Sequence, residues 1–451
     1  MQPKVVIPPP GPKSREILAR AASLTHRQLG PNQSVPFVLD RKEGWFLHDV
    51  DGNSYVDMVT GWGSTVLGAG HPSVTDAVVS GIKRYSLENT DYVFAEPLAV
   101  LAERLIGLTP DSLSRVAFEV SGTEAVETAV KLMREATGRP FIIAFFGQYH
   151  GESYTGQALS AQRSDFSPRM RHLTPGYLHV PFPHPYRCPF HAAGSACDGV
   201  CVVDYIADHL TFHLVSPDEI AGIVIEPILG EGGVLVPPDP FWNALTDLCR
   251  RHGWLLCLDE VETGFGRTGR WFASEHWNLQ PDLMCLAKGL SGGGLPLGAV
   301  LMSEAVAKAT TATNTGGTWA GQPAACLGAL AAIDAFEQEQ ILAHVGRLES
   351  IAESHLRPLE NLRSVGQVRI KGLYIAIDMV YDGDPRRRAP RLARRIHDYA
   401  VREGVVGIED GVSHYRVLPA LNMPEELFDL SMEIVARATR AADQMATEEQ
   451  S

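Results

Sequence analysis

A lysine that closes an apolar run needs an explanation, because burying an ammonium costs several kcal/mol unless it is paired or neutralised. Lys288 stands in that position, directly after DLMCLA. Conversion to an imine would remove the charge and use the amine as a nucleophile. Other reactive side chains sit at similar places. Asp259 and Glu260 follow WLLCL, Glu226 follows GIVI, and Tyr149 and His150 come just after FIIAFF. After RVAFEV comes the small-residue turn Ser121-Gly122-Thr123, opening the helical run EAVETAVKLMREA. A turn of this kind offers backbone N–H groups and the positive end of a helix dipole, a place for a phosphate.

Each feature alone has a plain explanation: a helix N-cap, a loop carboxylate, a core aromatic, a lysine whose head reaches solvent. Together they supply what pyridoxal phosphate requires. The set contains a phosphate cradle, an aromatic to stack on the ring, a carboxylate for the pyridinium nitrogen and an imine lysine. In an open parallel sheet, ligands bind outside the carboxyl ends of the strands, which is where these residues fall.

Three other patterns carry less. Gly264–Gly269 satisfies G-x-G-x-x-G after a strand, but Arg270-Trp271-Phe272 does not open a helix, so a dinucleotide fold is rejected. Cys188, His191, Cys197 and Cys201 suggest a zinc knuckle, yet their spacing fits no standard ligand pattern, and no metal is expected. Asp49–Gly52 has the look of a calcium loop without its downstream oxygen ligands, and reads as a turn.

The elements that position the reactive residues follow from patterning. Short apolar strands alternate with helical stretches from about residue 75 to 330, the signature of a mostly parallel α/β sheet. Candidate strands are Val116–Val120, Phe141–Phe146, Ile223–Ile225, Leu255–Leu258 and Leu283–Leu286. Residues 1 to about 35 read as an arm, extended at Pro8–Pro10 and helical through SREILARAASLTHRQ, followed by a hairpin turning at Asp51-Gly52-Asn53. We expect 1–75 to form an arm and hairpin joining a small domain, 76–330 a large cofactor-binding domain, and 331–451 a smaller α+β domain. The helical patterns AIDAFEQEQILAHVGRLESIAESHL and RLARRIHDYAVREG bracket the strands of that last part.

The 451 residues carry a formal net charge of −14 with no basic block, which argues against nucleic acid or an anionic membrane as partner. No apolar stretch approaches a membrane span, and the proline run near the start leaves no apolar signal-peptide core. Seven cysteines, several inside apolar patterns, read as free thiols in a reducing compartment, so a cytoplasmic protein is expected.

The run Asp259-Glu260-Val261-Glu262-Thr263-Gly264-Phe265-Gly266-Arg267-Thr268-Gly269, followed by Ala287-Lys288-Gly289, resembles the signature of class III (omega-type) aminotransferases. The resemblance extends co-linearly through DVDGNSYVD, Gly70-His71-Pro72, SGTEAVETAVKLMRE, YHG, IEP, TWAGQP and YRVLPAL. It implies the type I fold of pyridoxal-phosphate enzymes. By that likeness Lys288 holds the cofactor as a Schiff base and moves the proton, while Asp259 pairs with the pyridinium nitrogen. Tyr149 and Val261 flank the ring, with His150 beside them, and Ser121, Gly122 and Thr123 bind the phosphate. Glu226 lies on the cofactor's phenolic side and helps gate Arg416, the arginine that forks onto a substrate carboxylate. Thr318 reaches the phosphate of a neighbouring subunit, implying a homodimer or a dimer of dimers. The resemblance also implies a pyridoxamine form of the cofactor between half-reactions.

Some positions depart from the family. Glu262 and Gln322 stand where glutamine and asparagine are usual, and Val368–Gly372 lacks the usual arginine–glycine pair. Trp62 aligns with a glutamine that labilises the carboxylate in 2,2-dialkylglycine decarboxylases, which weakens that reading. PYRCPF is similar to a segment of the family's amino-acid racemases. Transamination between an amine or amino acid and an oxo acid, pyruvate or 2-oxoglutarate, is therefore the leading expectation, with Trp62, Tyr92 and Phe94 as an apolar lining. Racemisation or decarboxylation through the same Lys288 is the alternative, and a pyridoxal-binding protein without turnover belongs to another class.

Overall fold

The structure, a computed structural model, describes residues 2–25, 35–160, 175–192, 196–409 and 411–448. Turn chemistry places the first strands, β1 (Leu39–Glu43), β2 (Phe46–Asp49) and β3 (Ser54–Asp57). β2 and β3 pair antiparallel with His48 opposite Ser54, across a turn in which Gly52 has φ +94°. The Asp49 carboxylate accepts from the backbone N–H groups of Asp51 (3.0 Å) and Asn53 (2.8 Å) and from the Asn53 amide (2.7 Å). Its oxygens are spent closing the turn. The preceding helix is Pro12–Ala22, so the arm's helical pattern stops short of Thr25, and 26–34 lies outside the described residues.

The chain folds as two compact units, Met1–His71 with Gln340–Ser451, and Pro72–Glu339. The second unit is built on seven strands: β4 (Arg115–Glu119), β5 (Phe141–Phe145), β6 (Tyr177–Val180), β7 (Ile220–Ile225), β8 (Leu255–Asp259), β9 (Leu283–Leu286) and β10 (Gly298–Met302). Their order is β4-β10-β9-β8-β7-β5-β6. All neighbours from β9 to β6 run parallel, and only β10 is antiparallel to both strands beside it. β6 and β10 were not among the strands expected from the sequence. The connections from β4 to β5, and from β7 to β8, run through the helices Gly122–Thr137 and Asp239–His252.

Successive residues of a strand point to opposite faces, so one apolar strand feeds two cores. Ile142, Ala144, Val224, Cys257 and Cys285 pack with Ala125, Ala129, Val130 and Met133 of helix Gly122–Thr137. Ile143, Phe145, Ile223, Leu256 and Leu258 pack with Phe241, Trp242, Leu245 and Leu248 of helix Asp239–His252. Each fully buried Val, Leu, Ile, Phe or Met among them contributes roughly 1.5–3 kcal/mol, so both helices are firmly anchored against the sheet. Helix Gly122–Thr137 starts at a Ser121 cap and ends at Gly138, left-handed with φ 68°.

The first unit holds two four-stranded sheets. After β11 (Val365–Lys371), β12 (Tyr374–Met379), β13 (Val405–Val406), β14 (Ile408–Glu409) and β15 (His414–Val417), the orders are β1-β2-β3-β13 and β11-β12-β15-β14. The long helical pattern around residues 331–355 is two helices, Pro323–Gln338 and Ile341–Leu356. The break falls at Gln340, whose φ of +54° cannot continue a helix, and there the chain passes from one unit to the other. No helix among the described residues is long and apolar enough to cross a membrane.

Candidate active site

Four direct contacts join the carboxyl ends of five strands at one edge of the seven-stranded sheet. From β5 to β8, His150 Nδ1 lies 2.7 Å from Asp259 Oδ2, both side chains buried. From β5 to β7, the Tyr149 N–H donates to Glu226 Oε1 at 2.8 Å. From β8 to β9, Lys288 Nζ donates to Glu262 Oε2. From β4 to β8, Gly122 is so close to Val261 that a Cβ on it would fall 2.9 Å from the valine Cγ1. Glycine is required there by space alone.

Each side chain is fixed by its local geometry. Asp259 is the last residue of β8, and its Oδ1 accepts the Val261 N–H at 3.1 Å, which aims the other oxygen at His150. His150 is held in turn by Ser160, whose Oγ accepts the His150 N–H at 2.7 Å. Lys288 follows β9 with φ 43°, a strained left-handed conformation for a long side chain. Thr123 Oγ1 and Ser153 Oγ are 3.0 Å apart, tying the helix opening to the segment after β5.

The electrostatics of this edge are acidic around one ammonium. Glu226 accepts the N–H groups of Tyr149 and Gly230 (2.7 Å), yet burial, followed by the charge of nearby Asp259, pushes its carboxyl well above the usual range. Glu260, which the sequence offered as a second reactive acid beside Asp259, has a different task. It accepts from Thr263 Oγ1, from Ala273 N (3.0 Å) and from Ser274 N (2.7 Å), closing the glycine-rich loop over 260–274. Residues 261–272 are turns and bends, and only the short 3-10 helix Ala273–Trp277 follows, so no helix opens at the glycine pattern as a dinucleotide site requires.

The sequence model of the family "Aminotransferase class-III" matches residues 29–439. The chain belongs to the class III aminotransferases. It is 32% identical to an alanine/serine racemase of Pyrococcus horikoshii over 97% of this chain and 93% of that protein. It is 33% identical to a 4-aminobutyrate aminotransferase of Mycobacterium leprae, over 95% of this chain and 96% of the other. An amine transaminase from an uncultivated Pseudomonas species, solved in its PLP-bound form, superposes with a TM-score of 0.85 at 30% identity, covering 94% of this chain and 98% of that one. The fold is that of the type I pyridoxal-phosphate transaminases. This aminotransferase uses pyridoxal phosphate to move amino groups between amines or amino acids and oxo acids.

The residues of the enzyme fit that cofactor. The first-turn N–H groups of Gly122 and Thr123 have no intrahelical partner, the space a Cβ would fill at Gly122 is closed by Val261, and Asp259 ends β8 while Lys288 lies two residues past the end of the adjacent strand β9. Tyr149 is half-buried beside Glu226. Thr318 is exposed, in a loop where Gln322 Nε2 donates to its carbonyl (3.3 Å) and to that of Glu88 (2.7 Å). Gln322 thereby clamps two loops that carry exposed aromatic side chains, Tyr92 and Phe94 on one and Trp319 on the other.

In the other unit, Arg416 of β15 is buried, and its guanidinium carbon sits 5.7 Å from the Trp62 ring centre. Trp62 belongs to a turn in which Thr60, Gly61, Trp62 and Gly63 all have positive φ. Asp57 and Leu418 help to hold this costly turn. Asp57 accepts the Thr60 N–H at 2.8 Å, and Thr60 Oγ1 donates to the Leu418 carbonyl at 2.7 Å, two residues beyond Arg416. Nothing in the sequence pattern announced this turn.

Proposed function

We propose that this aminotransferase takes nitrogen from an ω-amine or amino acid and gives it to a small oxo acid such as pyruvate or 2-oxoglutarate, working as a homodimer or a dimer of dimers. The joining of five strand ends around one lysine carries the reading. Bound pyridoxal phosphate supplies an aldehyde and an electron-accepting ring, and its pyridoxamine form carries the nitrogen between the two halves of the cycle.

The protein's own groups divide the remaining work. The helix opening at Ser121, Gly122 and Thr123 takes the phosphate. Asp259, oriented by His150, would pair with the ring nitrogen and keep it protonated. Tyr149 and Val261 would hold the ring between them, with Glu226 on the side of its phenolic oxygen. Lys288 attaches the cofactor and afterwards carries a proton between two carbon atoms, a task that requires its amine free of Glu262. Arg416 receives a carboxylate by its planar fork, and the Trp62 indole lends it an apolar, cation-attracting wall. The exposed Tyr92, Phe94 and Trp319 suit burial against a second copy, and exposed Thr318 suits contact with that copy's phosphate. All seven cysteines are unpaired, in keeping with a reducing cytoplasm.

The test is turnover of L-alanine, ω-amines and 4-aminobutyrate with and without an oxo acid. Release of the carbonyl product only when pyruvate or 2-oxoglutarate is present supports the reading. Conversion of L-alanine to its D-form without an oxo acid would overturn it in favour of racemisation.

A further inference from the structure

The segment between β6 and β7 brings four metal-ligating side chains to one point. Cys188, His191, Cys197 and Cys201 follow the spacing C-x2-H-x5-C-x3-C, and all their ligand atoms lie within 4.8 Å of one another. No metal is expected from a spacing that fits no standard ligand pattern, yet the fold brings the four side chains together, with Cys201 on the helix Val200–Asp204. Gly199 makes the turn into that helix with φ 80°.

The geometry points to a structural zinc site with a Cys3His ligand set. The two sulfur–sulfur distances are near the edges of a tetrahedron around such an ion, and the sulfur–nitrogen distance is somewhat shorter. Zinc bonds to sulfur at about 2.3 Å and to nitrogen at about 2.0–2.1 Å, so the edges should measure about 3.8 Å between sulfurs and about 3.6 Å between sulfur and nitrogen. Cys188 Sγ and Cys201 Sγ are 3.6 Å apart, Cys197 Sγ and Cys201 Sγ 3.7 Å, and Cys188 Sγ and His191 Nδ1 3.2 Å. The Gly199 N–H donates to Cys197 Sγ at 3.4 Å, a bond that orients a thiolate ligand. Three thiols and one imidazole favour zinc over magnesium or calcium, which take oxygen ligands.

Binding releases the three thiol protons to solvent, leaves the imidazole neutral on the metal, and involves no oxidation or reduction. Four protein ligands leave no open coordination position, so the ion holds structure and does not act on substrate. Cys201 and Tyr205 pack on the same apolar core as Val202, Val203 and Phe241, so the site would staple the loop after the edge strand β6 onto the large unit. It shares no residue with the cofactor site.

The experiment uses untagged wild-type holoenzyme grown with zinc, purified under reducing conditions and passed through a desalting column. Elemental analysis by mass spectrometry is expected to give one zinc per chain, and cobalt(II) in its place should give the visible bands of tetrahedral thiolate ligation. The double variant C197S/C201S should retain below about one tenth of an equivalent, with the cofactor absorbance band intact. Chelation should lower the melting temperature of wild type and leave that of the variant unchanged. Wild type without stoichiometric zinc, a variant that keeps it, or a Cys188–Cys201 or Cys197–Cys201 disulfide in the native protein would overturn the proposal. If the double variant fails to fold, the metal content and cobalt spectrum of wild type decide the matter.

Discussion

Lys288 Nζ is bound to the carboxylate of Glu262, and the two side chains are only 20% and 9% exposed. Desolvation offsets part of the attraction in a pair this buried, but the ammonium must still leave Glu262 before the lysine can act as a nucleophile. Glu262→Gln keeps an acceptor and removes the charge. The variant's apoenzyme should therefore attach pyridoxal phosphate several-fold faster, read by stopped-flow absorbance and by borohydride trapping with mass spectrometry. Equal rates would mean that the pair offers no barrier, and Lys288→Ala should trap nothing.

Asp259 and His150 form a buried pair at 2.7 Å. A neutral amide in place of the carboxylate cannot hold a ring nitrogen protonated. Asp259→Asn should lower kcat by roughly 10²–10⁴-fold at full cofactor occupancy, whereas His150→Phe, which disturbs only orientation, should cost roughly 10–100-fold. Steady-state kinetics with occupancy checked by absorbance separates the two. Similar losses in both variants would deny Asp259 its direct part.

Arg416 should show its role in KM. Arg416→Leu is expected to raise KM for 2-oxoglutarate roughly 10–100-fold, the loss of a forked charge-assisted bond, while a donor amine without a carboxylate is unaffected. Arg416→Lys should not restore the KM, since an ammonium lacks the planar fork. A uniform loss for all substrates would indicate damage to the strained turn at Thr60–Gly63.

Burial holds the Glu226 carboxyl well above its usual range, with the charge of Asp259 adding to it. A raised folded-state value means that the group stabilises the fold below the unfolded carboxylate pKa and that this contribution is lost as pH rises through the folded value. The apoenzyme should therefore lose stability progressively as pH rises from the unfolded carboxylate pKa up to the folded value, and level off above it. Glu226→Gln should flatten the slope by at most about 1.4 kcal/mol per pH unit, measured by chemical unfolding across a pH series. Superimposable slopes would refute the assignment.

Much of this site was legible because strand ends in a parallel sheet are places where few reasons exist for Lys288, Asp259 or Glu226 to end an apolar run. The mostly parallel sheet followed from the same alternation. Other features depend on information that periodicity does not carry. β10 runs against its neighbours, and direction leaves no mark in an apolar pattern. The helix break at Gln340 has no proline or glycine to announce it. The left-handed turn at Trp62 is imposed by Asp57 and by Leu418, a residue 358 positions from the Thr60 it binds. The Glu262 partner of Lys288 and the loop-closing task of Glu260 are tertiary contacts between residues that the sequence showed only as acids. The four-ligand cluster was set aside because its spacing is unfamiliar, and folding brings it together regardless.

The most direct test of the account follows the cofactor's absorbance in purified enzyme given one amino donor and no oxo acid. The account predicts that the band bleaches once, that carbonyl product appears in an amount equal to the enzyme, and that pyruvate or 2-oxoglutarate restores the band while releasing the new amino acid. A band that recovers without an oxo acid, with D-amino acid or carbon dioxide accumulating and no carbonyl product in step with the bleaching, would contradict it.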